Sequence, residues 1–300
     1  MMWSLRKALV VLIGSFLMTT FLGGGFLLLY KNWKYKRLCD DRYRIVSILQ
    51  TGPEKEALKT VYLTELLKLS TDQPINLFAI DLKQAETSLL NSPLISSATV
   101  KRMPPGTLYI DYEIRRPIAW LADYQNIGID RDGYLFPISP FFSPKEMPEI
   151  YLGLPPFGES ADRYLREGGK WEEPLQNKYL SLAFDILQTF EGMDWKEGLR
   201  IKRIDVSNAF APSLGRREIV LFTEEEIIIK KENQELNFVF PKILRLPSKD
   251  YTSQLQNFFV LRKTIVEDYQ RQLATLDQSR KFLSRVVDLR ISQLAFIENR

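Results

Sequence analysis

Hydrophobic and polar positions divide this chain into three stretches of different period. The first has no period at all: from Ala8 to Tyr30 there is no formal charge over 23 positions. At about 1.5 Å per residue that run is about 34 Å long, enough to cross a hydrocarbon core of about 30 Å as a helix that satisfies its own backbone hydrogen bonds. It ends at Tyr30-Lys31-Asn32-Trp33 rather than at a small-x-small cleavage site, so it reads as an uncleaved anchor. Ser15, Thr19 and Gly23 recur every four residues and put small groups on one face, where a second membrane helix can approach closely. Gly23-Gly24-Gly25 is expected to loosen the helix.

The second stretch, from about Tyr43 to Arg116, alternates strand and helix periods. Arg44 to Gln50 reads as a strand, stopped at Thr51-Gly52-Pro53, and Glu56 to Leu69 reads as a helix with Leu58, Val61, Tyr62, Leu66 and Leu69 on one face. Asn76 to Ile80 is short and extended. Asp81 is an N-cap for a second helix carrying Leu82, Ala85, Leu89 and Leu90, which Ser92-Pro93 ends. Ile95–Met103 and Thr107–Arg115 form a hairpin around Pro104-Pro105-Gly106. The order β-α-α-β-β predicts a three-stranded sheet with two helices on one face.

The third stretch, Pro117 to Arg300, is mostly strand-like. Asn126–Ile138 is a hairpin turning at Asp130-Arg131-Asp132-Gly133, and Met147 to Pro156 reads as an irregular connector. A helix is marked by Leu175, Tyr179, Leu182, Ile186 and Phe190. Ile201–Ser207, Glu218–Phe222, Glu226–Lys231 and Phe238–Leu246 read as strands. Gln254–Asp268 reads as a helix that can extend past Gln270. Arg285 to Ile297 alternates as one closing strand. The predicted class is therefore α+β: one N-terminal transmembrane helix, a β-α-α-β-β module, and a larger mixed β-sheet domain with helices.

Charge changes the picture mainly at the membrane. Six of the 41 basic residues (Arg6, Lys7, Lys31, Lys34, Lys36, Arg37) lie within residues 1–37 beside no acidic one, so the rest of the chain holds 35 basic against 37 acidic residues. A nucleic-acid surface needs a basic patch on the folded body, and this balance supplies none. The basic excess C-terminal to the apolar run leans toward an external N-terminus, but long domains cross largely regardless of flanking charge.

Composition also removes much chemistry. With no histidine, Ser-His and Cys-His nucleophiles and His-ligated zinc are excluded. Cys39 is the single cysteine, so no intrachain disulfide or cysteine cluster forms, and Lys36-Arg37-Leu38 before it is not a lipid-attachment sequence. The glycines of Gly168-Gly169-Lys170 lack phosphate-loop spacing, and Ser143-Pro144-Lys145 and Ser279-Arg280-Lys281 lack Ser-x-x-Lys spacing. Asp130-x-Asp132 lacks the calcium-loop acid at position twelve of a loop starting at Asp130, where Phe141 stands. Glu172-Glu173 and Glu224-Glu225-Glu226 read as solvated faces or turns, since paired catalytic carboxylates come from different segments. No catalytic residue, metal, cofactor or small-molecule substrate is expected. The closing strand is the feature that points to a partner, because a late strand at a sheet edge presents unpaired N–H and C=O groups.

Asn76-Leu77-Phe78-x-Ile80-Asp81, Ser92-Pro93-Leu94-Ile95, Val100-Lys101-Arg102-x-Pro104, Leu108-x-Ile110, Glu113-x-Arg115-x-Pro117-x-Ala119, Ile129-Asp130-x-Asp132-Gly133-x-Leu135-Phe136 and Val287-Asp288-Leu289-Arg290 together resemble the FtsQ/DivIB family of bacterial cell-division proteins. Leu246-Pro247 departs from the family's Leu-Gly, Tyr269 to Ser284 is longer than the usual connection, and residues 151–240 match poorly. The resemblance implies a cytoplasmic tail at 1–7, a transmembrane helix at 8–30, a juxtamembrane spacer at 31–42, a POTRA-like (polypeptide-transport-associated) domain at 43–116 and a β domain at 117–300. It implies a non-enzymatic scaffold in the inner membrane, enriched at the division septum, that links early to late division proteins and binds FtsB- and FtsL-like membrane partners by strand addition. Carried onto this sequence, the contact falls on Asp288, Arg290, Ile291, Ser292, Leu294 and Phe296. The rival readings are a POTRA-type chaperone or translocation factor and a membrane-anchored cell-wall enzyme using paired carboxylates.

Overall fold

In the computed structural model, residues 2–70, 72–155, 173–192, 198–231, 234–275 and 285–299 are described. Gly168-Gly169-Lys170, Glu172 and Ser279-Arg280-Lys281 lie outside them, as does most of the connection following Thr275. The chain divides into two compact units, Met1–Ile114 and Arg115–Arg300.

The first unit begins with α1 (Met2–Cys39), 38 residues long. It runs unbroken through Gly23-Gly24-Gly25 and on through the segment expected as a spacer, ending in a short 3₁₀ turn at Asp41–Tyr43. Three successive glycines cost helix propensity, yet each i→i−4 bond survives because no proline interrupts the run. From Leu12 to Cys39 its mean hydropathy peaks at 1.9 with none of that window buried, so by length and composition it can cross a membrane.

Behind it, β1 (Ser47–Thr51) pairs parallel with β3 (Thr107–Ile114), which pairs antiparallel with β2 (Ile95–Met103), giving the order β1-β3-β2. The helices are α2 (Thr60–Leu66) and α3 (Leu82–Leu90). Asp81 caps α3 as expected, accepting from the amides of Lys83 and Gln84. The first helix is shorter than its apolar pattern predicts. Tertiary hydrogen bonds compete with it: the Tyr112 hydroxyl accepts from Leu58 N at 2.8 Å, and Gln50 donates to Leu58 O at 3.1 Å. Leu58 is thereby buried in a non-helical approach, and Glu56 takes a positive φ of 65°. Asn76 to Ile80 forms turns and one bridge to Arg44 instead of an extended segment.

Gly106 is required where the β2–β3 turn meets the start of the first strand. A Cβ there falls 2.5 Å from the carbonyl oxygen of Arg44. That atom is backbone and cannot swing aside, so Gly106→Ala is expected to cost about 1–3 kcal/mol. Loss of amide protection across β1–β3, measured by hydrogen exchange, checks it; unchanged protection contradicts the assigned contact.

The second unit is a nine-stranded mixed sheet: β4 (Ala119–Leu121), β5 (Ile127–Ile129), β6 (Leu135–Pro137), β7 (Glu149–Tyr151), β8 (Leu199–Asp205), β9 (Ile219–Lys231), β10 (Gln234–Leu246), β11 (Arg285–Asp288) and β12 (Phe296–Asn299). Its spatial order is β12-β11-β10-β9-β8-β7-β4-β5-β6. Helices α4 (Lys178–Gly192) and α5 (Tyr251–Thr275) supply Ile186, Phe190, Leu255, Phe258 and Ile265 to its core. The Asp130 turn is local: its carboxylate accepts from Asp132 N and Tyr134 N and pairs with Arg115 at 3.0 Å.

Four expectations for this unit are corrected. The connector around Glu149 contains β7, which pairs parallel with β4 on one side and β8 on the other. The segments Glu218–Phe222 and Glu226–Lys231 are one strand, paired over 13 positions with β10. Glu225 is therefore not in a solvated turn. Strand alternation leaves Glu224 and Glu226 on one face, paired with Lys202 and Arg200, and turns Glu225 inward at 1% exposure. Finally, Arg285 to Ile297 is not one strand: it breaks after Asp288, turns, and returns as β12 antiparallel to β11.

Candidate partner-binding edge

The break after Asp288 creates the edge. Leu289 still donates to Arg245 O at 2.8 Å and is 1% exposed, so the chain follows β10 for one residue past β11. Asp288 then accepts from Arg290 N at 3.1 Å and binds the Arg290 guanidinium through three further hydrogen bonds, the shortest 2.7 Å. A side chain gripping the backbone two residues on favours a turn over continued strand. Gln293, at φ 64°, completes it, and Leu294 N donates to Ile291 O.

Two distant residues hold this corner. Glu218, at the entry to β9, accepts from Arg245 at 2.6 Å and pairs with Arg290 at 3.2 Å; Arg245 also reaches Asp288 at 3.3 Å. Burial alone raises the Asp288 carboxyl, but its bonds to Arg290, helped by the Arg245 charge, outweigh that and hold it below the ordinary carboxylate range. The acid thus stays ionised and keeps the corner closed at neutral pH.

Beyond the corner, β12 is the last strand of the sheet. One side pairs with β11; no described strand pairs with the other. Ile291, Leu294, Phe296 and Ile297 are each about half exposed around it. Beside it lies a groove of about 630 Å³, walled by Arg217, Pro247, Lys249, Arg290, Ile291 and Phe296. The groove combines apolar and cationic walls next to an open row of backbone groups.

Of the residues expected from sequence, Asp288 closes β11, Arg290 and Ile291 lead into the turn, Ser292 sits within it, Leu294 leaves it, and Phe296 opens β12. Asp288, Arg290, Ile291 and Phe296 come together at the groove; Ser292 and Leu294 do not line it. Glu218, Arg245, Arg217 and Lys249 were missed. They lie between 39 and 73 residues before Asp288 and Arg290 in the chain, and only the β9–β10–β11 pairing brings them near. Ser15, Thr19 and Gly23 share one face of α1; Thr19 bonds back to the Ser15 and Phe16 carbonyls, and nothing lies within 4 Å of a Cβ built at Gly23.

Residues 56–111 match the family described as POTRA domain, FtsQ-type. No curated protein matches the chain. The matched segment covers α2, α3, β2 and most of β3, directly behind the membrane-length helix, and it supports a division-associated role.

Proposed function

From the premise of an FtsQ/DivIB-like chain, with an FtsQ-type POTRA domain following an apolar helix, we propose that this protein is a scaffold of the cell-division machinery, anchored in the bacterial inner membrane. The 1–7 tail is cytoplasmic, the body extracytoplasmic, and the whole is concentrated at the septum. It joins early to late division components through FtsB- and FtsL-like membrane partners. The observation that carries this reading is the FtsQ-type match placed behind the helix.

The edge strand supports the manner of binding. A partner segment adds beside β12, making main-chain hydrogen bonds to its open side, while the corner at Asp288 and Arg290 sets register through side chains. The contact therefore centres on Phe296 to Asn299, with the turn residues Ile291 to Leu294 at its end. The Ser15-Thr19-Gly23 face is left for a partner's membrane helix.

The experiment is the location of an N-terminal fluorescent fusion that still supports growth in dividing cells. Enrichment at the division plane is expected. A uniform envelope signal overturns the division reading and favours a POTRA-type chaperone or translocation factor.

A further inference from the structure

The end of the membrane helix is built into the POTRA unit rather than tethered to it. Asn76 Nδ2 donates to the carbonyls of Arg37, Leu38 and Asp40 at 3.0, 2.9 and 3.3 Å, so a side chain from the 74–78 loop satisfies the orphan acceptors of the last helical turn. Arg37 lies 3.6 Å over the Trp33 ring and 5.1 Å from the Phe78 ring. Tyr43 packs edge-on against Phe78 at 4.9 Å, and its carbonyl accepts from Leu77 N at 2.7 Å. Arg102, from β2, donates to Leu77 O at 2.8 Å and to Ile80 O at 2.5 Å. Helix end, 74–78 loop and β2–β3 hairpin are thus one joint.

The joint fixes a height. The uncharged run ends at Tyr30, and Arg37 lies about 10 Å further along the axis. Polar headgroups extend about 5–8 Å beyond the hydrocarbon on each side. The joint therefore sits at the outer limit of the headgroup layer, and Tyr30, Lys31, Trp33 and Lys34 occupy that layer, where aromatic rings and snorkelling lysines are most stable.

At this same end of the sheet the module exposes apolar side chains. Parallel pairing of Ser47 with Thr107 puts the start of β1 and the β2–β3 tip together, and Val46 N donates to Gly106 O at 2.9 Å. Val46 is 84% exposed and Met103 44%. Pro104 and Pro105 are exposed at the tip, and Ile75 lies beside Ile45, the neighbour of Val46, through its carbonyl bond from Ile45 N. Lys101 is exposed near the tip, while exposed Arg42 and Arg44 are paired with Asp40 at 2.7 Å and Asp41 at 2.8 Å. An apolar tip held beside a membrane helix matches the bilayer interface, where exposed apolar groups enter the boundary between headgroups and acyl chains.

We infer that the Met103-Pro104-Pro105 tip, with Val46 and Ile75, is a second membrane contact that seats the POTRA module on the lipid surface beside its own helix. The inference rests on membrane anchoring alone and stands or falls independently of the septal location.

The test uses the full chain in nanodiscs containing phosphatidylglycerol. In a Cys39→Ser background, a nitroxide label is placed at Met103→Cys or at Val61→Cys, an exposed position near the opposite end of the sheet. The expected result is a several-fold higher ratio of oxygen to aqueous nickel-chelate accessibility at 103 than at 61. Adding Val46→Asp is expected to abolish that difference; both sites are exposed, so the fold is kept. Equal accessibility at the two labels, or a difference that survives Val46→Asp, overturns the inference.

Discussion

Glu225→Ala is expected to destabilise the 115–300 unit by about 3–5 kcal/mol. The carboxylate stands between Lys242 Nζ at 2.6 Å and the Arg262 guanidinium at 2.7 Å, and Lys242 has no solvent exposure at all. Burial pushes the Lys242 amine down from its ordinary range, and Glu225 is what opposes this. Its neighbours give little help. Arg285 pairs with Asp268 and lies 4.2 Å over the Tyr269 ring, while burial pushes the Tyr269 phenol up to about 12, so it stays neutral. Without Glu225, Lys242 is a buried charge with its counter-ion gone.

The sign with pH follows. In the variant the folded lysine loses its proton well below its unfolded value of 10.5. Between those two values the unfolded chain binds more protons, so stability rises with pH, by up to about 1.4 kcal/mol per unit. Urea denaturation of the full chain in detergent at pH 7 and pH 9 measures both effects. Combining Glu225→Leu with Lys242→Met is expected to recover most of the loss, since an apolar pair of similar size replaces a buried ion pair at little cost. A loss below about 1 kcal/mol in the single variant contradicts the buried-pair assignment.

Proline in β12 is the second large effect, read on partner binding. In an antiparallel ladder, successive residues of a strand direct their N–H groups alternately toward the paired neighbour and away from it. Of Ile297 and Glu298, one N–H therefore bonds β11 and the other faces the open side. Ile297→Pro and Glu298→Pro, made singly, are expected to differ. The one that removes the outward donor weakens a partner by about tenfold or more with β11–β12 intact, and the other loosens the hairpin as well. Affinity for a membrane partner recovered from dividing cells, beside hydrogen exchange at Val286 and Val287, separates the two. Undiminished affinity in both variants removes strand addition at this edge. Ser292→Pro, natural if Arg285 to Ile297 were one strand, is expected to have a smaller effect, because Ser292 lies in a turn.

The corrections share one cause. Periodicity reports which side of a local element faces the core, and where local signals agreed the elements stand: Asp81 as a cap, Ile95–Met103 and Thr107–Ile114 as a hairpin, the Asp130 turn. It failed where distant groups competed for the backbone. Leu58 left its helix for Tyr112 and Gln50, and the alternating run after Arg285 was broken when Asp288 closed on Arg290 within reach of Arg245 and Glu218. The triple glutamate misled for a related reason. Three carboxylates in a row look solvated, but a period of two turns the middle one inward when a lysine on β10 and an arginine on α5 await it.

By itself the sequence determined the membrane-length helix, the α+β class, the β-α-α-β-β order and the absence of histidine chemistry and of any intrachain disulfide, because these depend on composition and on contacts a few residues apart. Tertiary structure alone decided which strand forms the edge, which cations surround Asp288, why Glu225 is buried, and that Asn76 locks the helix end to the POTRA module. The contacts of Arg245 with Asp288, of Lys242 with Glu225 and of Asn76 with the helix end each join residues at least 17 positions apart, and at that separation the free energy lies in pairing, burial and charge that exist only after the chain has closed on itself.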